Sequence, residues 1–253
     1  MIPVCTDLSA WRTLRSSSGF SAGTVGFVPT MGALHAGHRA LLARARAEND
    51  RVVLSVFVNP AQFNDPADLA RYPRTLEADL ALAAGLADAV LAPATTELYP
   101  DDYAYRLTEY TLSTRWEGAH RPGHFDGVLT VVLKLLNLVQ PTRAYFGEKD
   151  WQQLALVRGM ARALFLSAEI VACPTVRDAD GLALSSRNRR LSPAARARAA
   201  AFPRLLRASP DAESAAASLR AAGFTVDYVA DTGGVRLGAV QLEAVRLIDN
   251  VPL

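Results

Sequence analysis

Two histidines three residues apart, His35 and His38, stand in the run Pro29-Thr-Met-Gly-Ala-Leu-His-Ala-Gly-His38. An apolar segment, Thr24-Val-Gly-Phe-Val28, ends just before this run, and helical spacing of Leu41, Leu42 and Ala45 follows it. Residues three apart share a helix face. The first turn of a helix also carries unpaired N–H groups and the positive end of its dipole, which favours phosphate. Two imidazoles there could donate hydrogen bonds to a polyphosphate and stabilise charge building on it. Gly32 and Gly37 would let the backbone approach such a ligand closely. The same histidines could instead be ordinary surface or core residues, or half of a metal site, because all four histidines fall in two pairs, His35/His38 and His120/His124. Helix-borne zinc pairs usually sit four apart with an acidic or cysteine partner in a familiar spacing, so the spacing favours phosphate.

Three further clusters carry polar chemistry. Val58-Asn-Pro-Ala-Gln-Phe63 closes a second apolar run, and Asn59 and Gln62 suit the hydroxyl, carboxylate or amine of a small polar substrate; a plain turn is the alternative. In Tyr145-Phe-Gly-Glu-Lys-Asp-Trp-Gln-Gln-Leu154, Lys149 offers positive charge, Asp150 either binds ribose hydroxyls or caps a helix, and Gln153 lies one turn further in. Asp180-Gly-Leu-Ala-Leu-Ser-Ser-Arg-Asn188 places two hydroxyls and Arg187 in a Gly-opened loop, a mobile phosphate clamp or a serine-rich surface loop.

These clusters must be positioned by an alternation of strands and crossover helices. Thr24–Val28, Arg51–Val58, Ala89–Ala92, Arg143–Gly147 and Glu169–Cys173 are expected strands, and the continuous apolar character of Arg51–Val58 suits a strand covered on both faces. Helices are expected over His35–Glu48, Thr75–Gly85, Asp126–Gln140 and Trp151–Leu164. This is the rhythm of an α/β, Rossmann-like, doubly wound parallel sheet, in which ligands bind at the carboxyl ends of the strands. After Pro174 the texture changes. Two Ala/Arg-rich helical stretches, Pro193–Ala208 and Ala212–Ala222, precede two short apolar runs, Phe224–Val229 and Val240–Ile248. A boundary near residue 174 therefore separates a domain of residues 1–174 from a small C-terminal α+β domain of residues 175–253.

Composition agrees with a folded globular chain. Of 253 residues, half are hydrophobic and 21% charged, which excludes a disordered chain, while 27 Lys+Arg against 25 Asp+Glu is too even for a nucleic-acid binder. Cys5 and Cys173 cannot build a disulfide framework, and the longest strongly apolar segment, Val128–Val139, is too short to cross a bilayer. The N-terminus lacks the basic and apolar regions of a signal peptide, so a cytoplasmic protein is expected.

The paired histidines and the later Leu-Ser-Ser-Arg loop resemble the HIGH and KMSKS signatures of the nucleotidyltransferase superfamily. Six motifs in order narrow this further: Pro29–His38, Phe57–Phe63, Arg71–Thr75, Arg121–Phe125, Phe146–Asp150 and Gly181–Asn188, with Arg246-Leu-Ile-Asp-Asn250 near the end. Together they resemble the pantothenate synthetase (pantoate–β-alanine ligase) family. The resemblance implies that ATP adenylates pantoate, releasing pyrophosphate, and that β-alanine then attacks the pantoyl adenylate to give pantothenate and AMP. It further implies that Met31, Gly32, Ala33, Leu34, His35, Ala36, Gly37 and His38 line the ATP site, with His38 as proton donor and His35 on the phosphates. Gly147, Glu148, Lys149, Asp150, Val176, Leu184, Ser185, Ser186 and Arg187 match further ATP contacts, with Lys149 and Arg187 counted as catalytic. Gln62 and Gln153 match the residues that grip pantoate, and Asn59 and Tyr72 shape the pocket.

Mg2+ is expected to travel with ATP, with Asp79 as its candidate carboxylate, although Ala78 and Leu82 are apolar where some relatives are polar. The resemblance also implies a homodimer and a C-terminal lid, here expected to be shortened. An adenylyltransferase that leaves AMP on its product, or a nucleotide-binding module without catalysis, are the competing readings.

Overall fold

Continuous apolar runs become the strands of one sheet in the computed structural model, which describes residues 2–253. They are β1 (Val4–Cys5), β2 (Val25–Thr30), β3 (Arg51–Val56), β4 (Ala89–Leu91), β5 (Arg143–Gly147) and β6 (Glu169–Cys173), in the order β1-β4-β3-β2-β5-β6. The pairs β1–β4, β4–β3, β3–β2 and β2–β5 are parallel. Successive side chains of a strand face opposite sides, and both sides are covered. Phe27 and Val53 enter a cluster with Leu129, Val132 and Leu136 of the helix His124–Val139. Val28 and Leu54 enter a second cluster with Leu42 and Ala45 of the helix Ala36–Glu48. Each such Leu or Val, shut away from water, contributes about 1.5–3 kcal/mol.

The chain divides between Cys173 and Pro174, and two short pieces, His35–Gly37 and Gly147–Trp151, group with the second unit rather than the first. In the second unit a three-stranded antiparallel sheet, β7 (Thr225–Thr232), β8 (Val235–Leu242) and β9 (Val245–Pro252), shares a core with helices through Phe202, Leu206, Leu219 and Val240.

Two expectations change here. The stretch Pro193–Ala208 is two helices, Pro193–Ala199 and Ala201–Ala208, because Pro203 has no N–H to continue the first helix but is tolerated in the opening turn of the second. The run Val240–Ile248 is not one segment. Glu243 turns it at φ +53°, so its halves pair with each other in β8 and β9. Asp231-Thr-Gly-Gly234 leads into the other hairpin turn. There Gly233 (φ +55°) and Gly234 (φ +77°) supply the left-handed pair that a tight hairpin needs. The short strand β1 and the helix Leu8–Arg15 have no counterpart in the sequence reading.

From β2 the chain steps outward to β3 and β4, then returns to place β5 on the other side of β2. Strand order reverses at that point, so the carboxyl ends of β2 and β5 flank the ligand crevice of this fold class. The exit from β2 is tightly held. Gly32 (φ +79°) and Ala33 (φ +52°) are both left-handed. Asp79, in the first turn of the helix Leu76–Ala83 and 2% exposed, accepts the Ala33 N–H on Oδ2 (3.1 Å) and the Leu34 N–H on Oδ1 (2.7 Å). A Cβ at residue 32 would stand 2.9 Å from that Oδ2, so only glycine fits.

Asp79→Ala leaves two inward-facing N–H groups without their acceptor and is expected to cost about 3 kcal/mol. Urea denaturation measures this, and Asp79→Asn, which keeps one acceptor oxygen, is expected to lose less.

Candidate active site

In the first unit the polar residues gather beyond the β2 and β3 ends. Asn59 and Gln62 lie on the short helical turn Pro60–Gln62 and its cap, immediately after β3. Asn59 Nδ2 donates to Gln62 Oε1 (3.1 Å) and to the Gly127 carbonyl (3.1 Å), and Tyr99 Oη donates to Asn59 Oδ1 (2.9 Å). Gln62 Nε2 donates to Met31 Sδ at 2.9 Å, linking Gln62 to the loop leaving β2. The Gln62 carbonyl is gripped in turn. His124 Nδ1 lies 2.9 Å from it, and Arg121 Nη2 donates to it at 3.2 Å. A carbonyl only accepts, so His124 carries its proton on Nδ1, leaving Nε2 to accept from Arg121 Nη1 at 3.1 Å. Gly127 permits the close approach of the helix, since a Cβ there would lie 2.3 Å from the Ala61 carbonyl oxygen. Tyr72 meets Phe63 edge to face, with centroids 5.6 Å apart. A cavity of about 340 Å3 opens beside these groups, lined by Met31, Gly32, Val56, Arg74, Thr75 and Asp79.

The second unit assembles the cationic groups. His35 immediately precedes the helix Ala36–Glu48, and its Nδ1 accepts the Gly37 N–H at 3.1 Å, occupying one of the helix's unpaired donors. The expectation that His35 and His38 both stand on the helix face is corrected by this: His35 caps the helix, and His38 is its third residue. With Nδ1 accepting, the His35 proton sits on Nε2. Burial, then the Lys149 ammonium and the Arg189 guanidinium, push its pKa below the ordinary histidine value, with Asp150 opposing in part. His35 is therefore a neutral donor beside two cations.

Lys149 lies in the short turn Glu148–Asp150 that leaves β5. Asn250 of β9 fixes that turn, its Nδ2 donating to the carbonyls of Glu148 (2.8 Å) and Lys149 (3.0 Å). Its neighbour Asp249, 3% exposed, takes Arg177 in a two-pronged pair at 2.7 and 2.9 Å. Arg177 also binds the Gly181 carbonyl at 3.0 Å, and Leu184 N–H donates to the Val176 carbonyl at 3.0 Å. Ser185 then caps the turn Ser186–Arg190 through the Arg187 N–H at 3.2 Å. Adjacent residues of β9 thus hold both the lysine turn and the base of the Ser–Arg loop.

The expected residues fall into two sets. Met31–Leu34, His38, Asn59, Gln62, Tyr72, Asp79 and Gln153 belong to the first unit. His35–Gly37, Gly147–Asp150, Val176 and Leu184–Arg187 belong to the second. Asp79 does not fit a metal ligand: both its oxygens are engaged by backbone N–H groups inside the protein, and Ala78 and Leu82 offer no donor beside it. Among the described residues no group of three or more His, Cys, Asp or Glu side chains is arranged to hold a metal ion. Sequence reasoning left Tyr99, Arg121, His124, Arg177, Asp249 and Asn250 without roles. Two motifs, Arg121–Phe125 and Arg246–Asn250, carried the signal for all but Tyr99 and Arg177.

The sequence model of the family described as pantoate-beta-alanine ligase matches residues 3–252. A pantothenate synthetase of Bdellovibrio bacteriovorus is 55% identical over 249 residues, covering 98% of this chain and 97% of the relative. One of Legionella pneumophila is 50% identical, covering 96% and 97%. The crystal structure of pantothenate synthetase from Thermus thermophilus matches with a TM-score of 0.92 at 44% identity, covering 99% of both chains. A pantoate-beta-alanine ligase of Francisella tularensis, complexed with beta-gamma ATP and beta-alanine, matches with a TM-score of 0.94 at 37% identity, covering 100% of this chain and 98% of the other. Each of these relatives is covered to 97% or more of its own length. With a family match across nearly its whole length and relatives at half identity or better, the chain belongs to the pantoate–β-alanine ligase family and is an enzyme of that class.

Proposed function

We propose that this chain condenses pantoate with β-alanine through a pantoyl adenylate, producing pantothenate, AMP and pyrophosphate. A carboxylate oxygen of pantoate attacks the α-phosphorus of ATP and the bond to pyrophosphate breaks. The β-alanine nitrogen then attacks the acyl carbon, loses a proton, and AMP leaves. The observation that carries this reading is the cationic cluster around His35. A neutral imidazole with its proton on Nε2, beside Lys149 and Arg189, is a preorganised donor set for charge accumulating on a leaving pyrophosphate.

In this reading Met31–His38, Gly147–Asp150, Val176 and Leu184–Arg187 line the ATP site, and His38 donates a proton to the departing group. Lys149, Ser185, Ser186 and Arg187 serve the phosphates. Gln62 and Gln153 hold pantoate, while Asn59 and Tyr72 shape its pocket. Mg2+ enters with ATP on phosphate oxygens, as a hard cation that keeps much of its water. Residues 1–174 form the nucleotide- and pantoate-binding domain and 175–253 a lid domain, in a cytoplasmic homodimer. The acyl adenylate hydrolyses readily, so water must be excluded until the amine arrives.

A coupled AMP assay that omits ATP, pantoate or β-alanine in turn tests the reaction. Full turnover should need all three, and pyrophosphate should appear with ATP and pantoate alone. A dinucleotide-like product would favour an adenylyltransferase instead, and nucleotide binding without turnover a non-catalytic module. His38→Ala should lower kcat about 10²–10⁴-fold, the usual worth of a positioned proton donor, with an unchanged circular dichroism spectrum.

The His35 ring should titrate in NMR below the ordinary histidine midpoint and stay neutral through pH 7. Lys149→Met removes a positive charge that disfavours the imidazolium, so the midpoint should move upward. A downward or absent shift would contradict the assigned electrostatics.

A further inference from the structure

We propose that Tyr99, through its hydroxyl, is a positioning residue that holds Asn59 in the orientation set by the Gly127 carbonyl, and so keeps the N–H end of the Gln62 side-chain amide presented to pantoate; this rests on the reading above that Gln62 holds that substrate. Asn59 joins the two. Its side chain is 1% exposed, and two backbone groups of fixed polarity orient it. The Gly127 carbonyl can only accept, and lies 3.1 Å from Nδ2; the Ala61 N–H can only donate, and its nitrogen lies 3.4 Å from Oδ1. The second hydrogen of Nδ2 then goes to Gln62 Oε1 at 3.1 Å. Gln62 therefore has its oxygen committed inward and its Nε2 pointing the other way, with one hydrogen donated to Met31 Sδ at 2.9 Å and the second left to donate. Were that amide reversed, two NH2 groups would face each other and no hydrogen bond would form. An acid substrate, with carboxylate and hydroxyl oxygens, needs the donor end.

The Ala61 contact is too long to hold Asn59 Oδ1 firmly, and the Tyr99 hydroxyl at 2.9 Å is the stronger partner. Tyr99 is well placed to hold Asn59 in that orientation, because its ring is packed. It is 4% exposed and stacks on Tyr103 with centroids 4.0 Å apart. Lys134 Nζ sits 4.4 Å from its centroid while donating to the Leu98 carbonyl (2.7 Å) and to Asp101 (3.1 Å). Tyr99 thus acts on Gln62 through Asn59, not on the substrate.

Tyr99→Phe removes one oxygen and keeps the ring and its stack. It is expected to raise the KM for pantoate about tenfold, the worth of roughly one hydrogen bond, with the KM for ATP and kcat within about twofold of the parent. In a Gln62→Ala background the same exchange should have almost no effect, since coupled residues are not additive. An unchanged pantoate KM, an equal rise in the KM for ATP, or an additive cycle overturns the proposal. Asn59→Asp, which cannot donate to Gln62, provides a second route should Tyr99→Phe not fold. A pantoate-specific rise supports the relay and an unaltered pantoate KM overturns it. A parent that turns over no pantoate overturns the underlying reading and the relay together, whereas an active parent with an additive cycle overturns the relay alone.

Discussion

The chain leaving β2 has to turn through two successive left-handed residues, and one of them, Ala33, is not a glycine. A left-handed alanine costs roughly 1–2 kcal/mol. The Asp79 carboxylate offsets this by taking the Ala33 and Leu34 N–H groups inside the protein, where hydrogen bonds to a charged acceptor are strong. The rest of the site inherits that geometry. Met31 precedes the turn and meets Gln62, and His35 follows it and caps the next helix. A carboxylate expected from the sequence to serve a metal is instead the anchor of this backbone.

Hydrogen-bond polarity organises the remainder. Carbonyls of Gly127 and Gln62 have only acceptor capacity, and they dictate the orientation of Asn59 and the tautomer of His124. Gly37 N–H does the same for His35, placing its proton on Nε2. Lys149 and Arg189 reinforce that choice by disfavouring a further positive charge on the ring. Asn59, His124 and His35 are thus aimed by backbone groups whose chemistry cannot be reversed, which is how a site is preorganised before its substrate arrives.

Much of this was legible beforehand. The alternation of apolar runs and helical periods located β2 through β6 and their crossover helices to within a few residues, because both-face burial requires continuous apolar strands. The Pro29–His38 and Tyr145–Leu154 runs fell at strand ends, where this sheet class places ligands. Less was legible in the second unit. There the break at Ala200 and the turn at Glu243 depend on a proline's missing donor and on a left-handed backbone that apolar content does not report.

The sequence by itself determined that imidazole, ammonium and amide side chains stand at the ends of buried strands, because hydrophobic period and motif spacing are local properties. Only the tertiary structure decided that Asp79 binds backbone, that Tyr99 and Asn59 orient Gln62, and that Asp249 and Asn250 hold the Arg177 base and the Lys149 turn. Those pairings join residues tens of positions apart, and a carboxylate or amide reveals its partner only when the fold has buried it beside a donor it must satisfy.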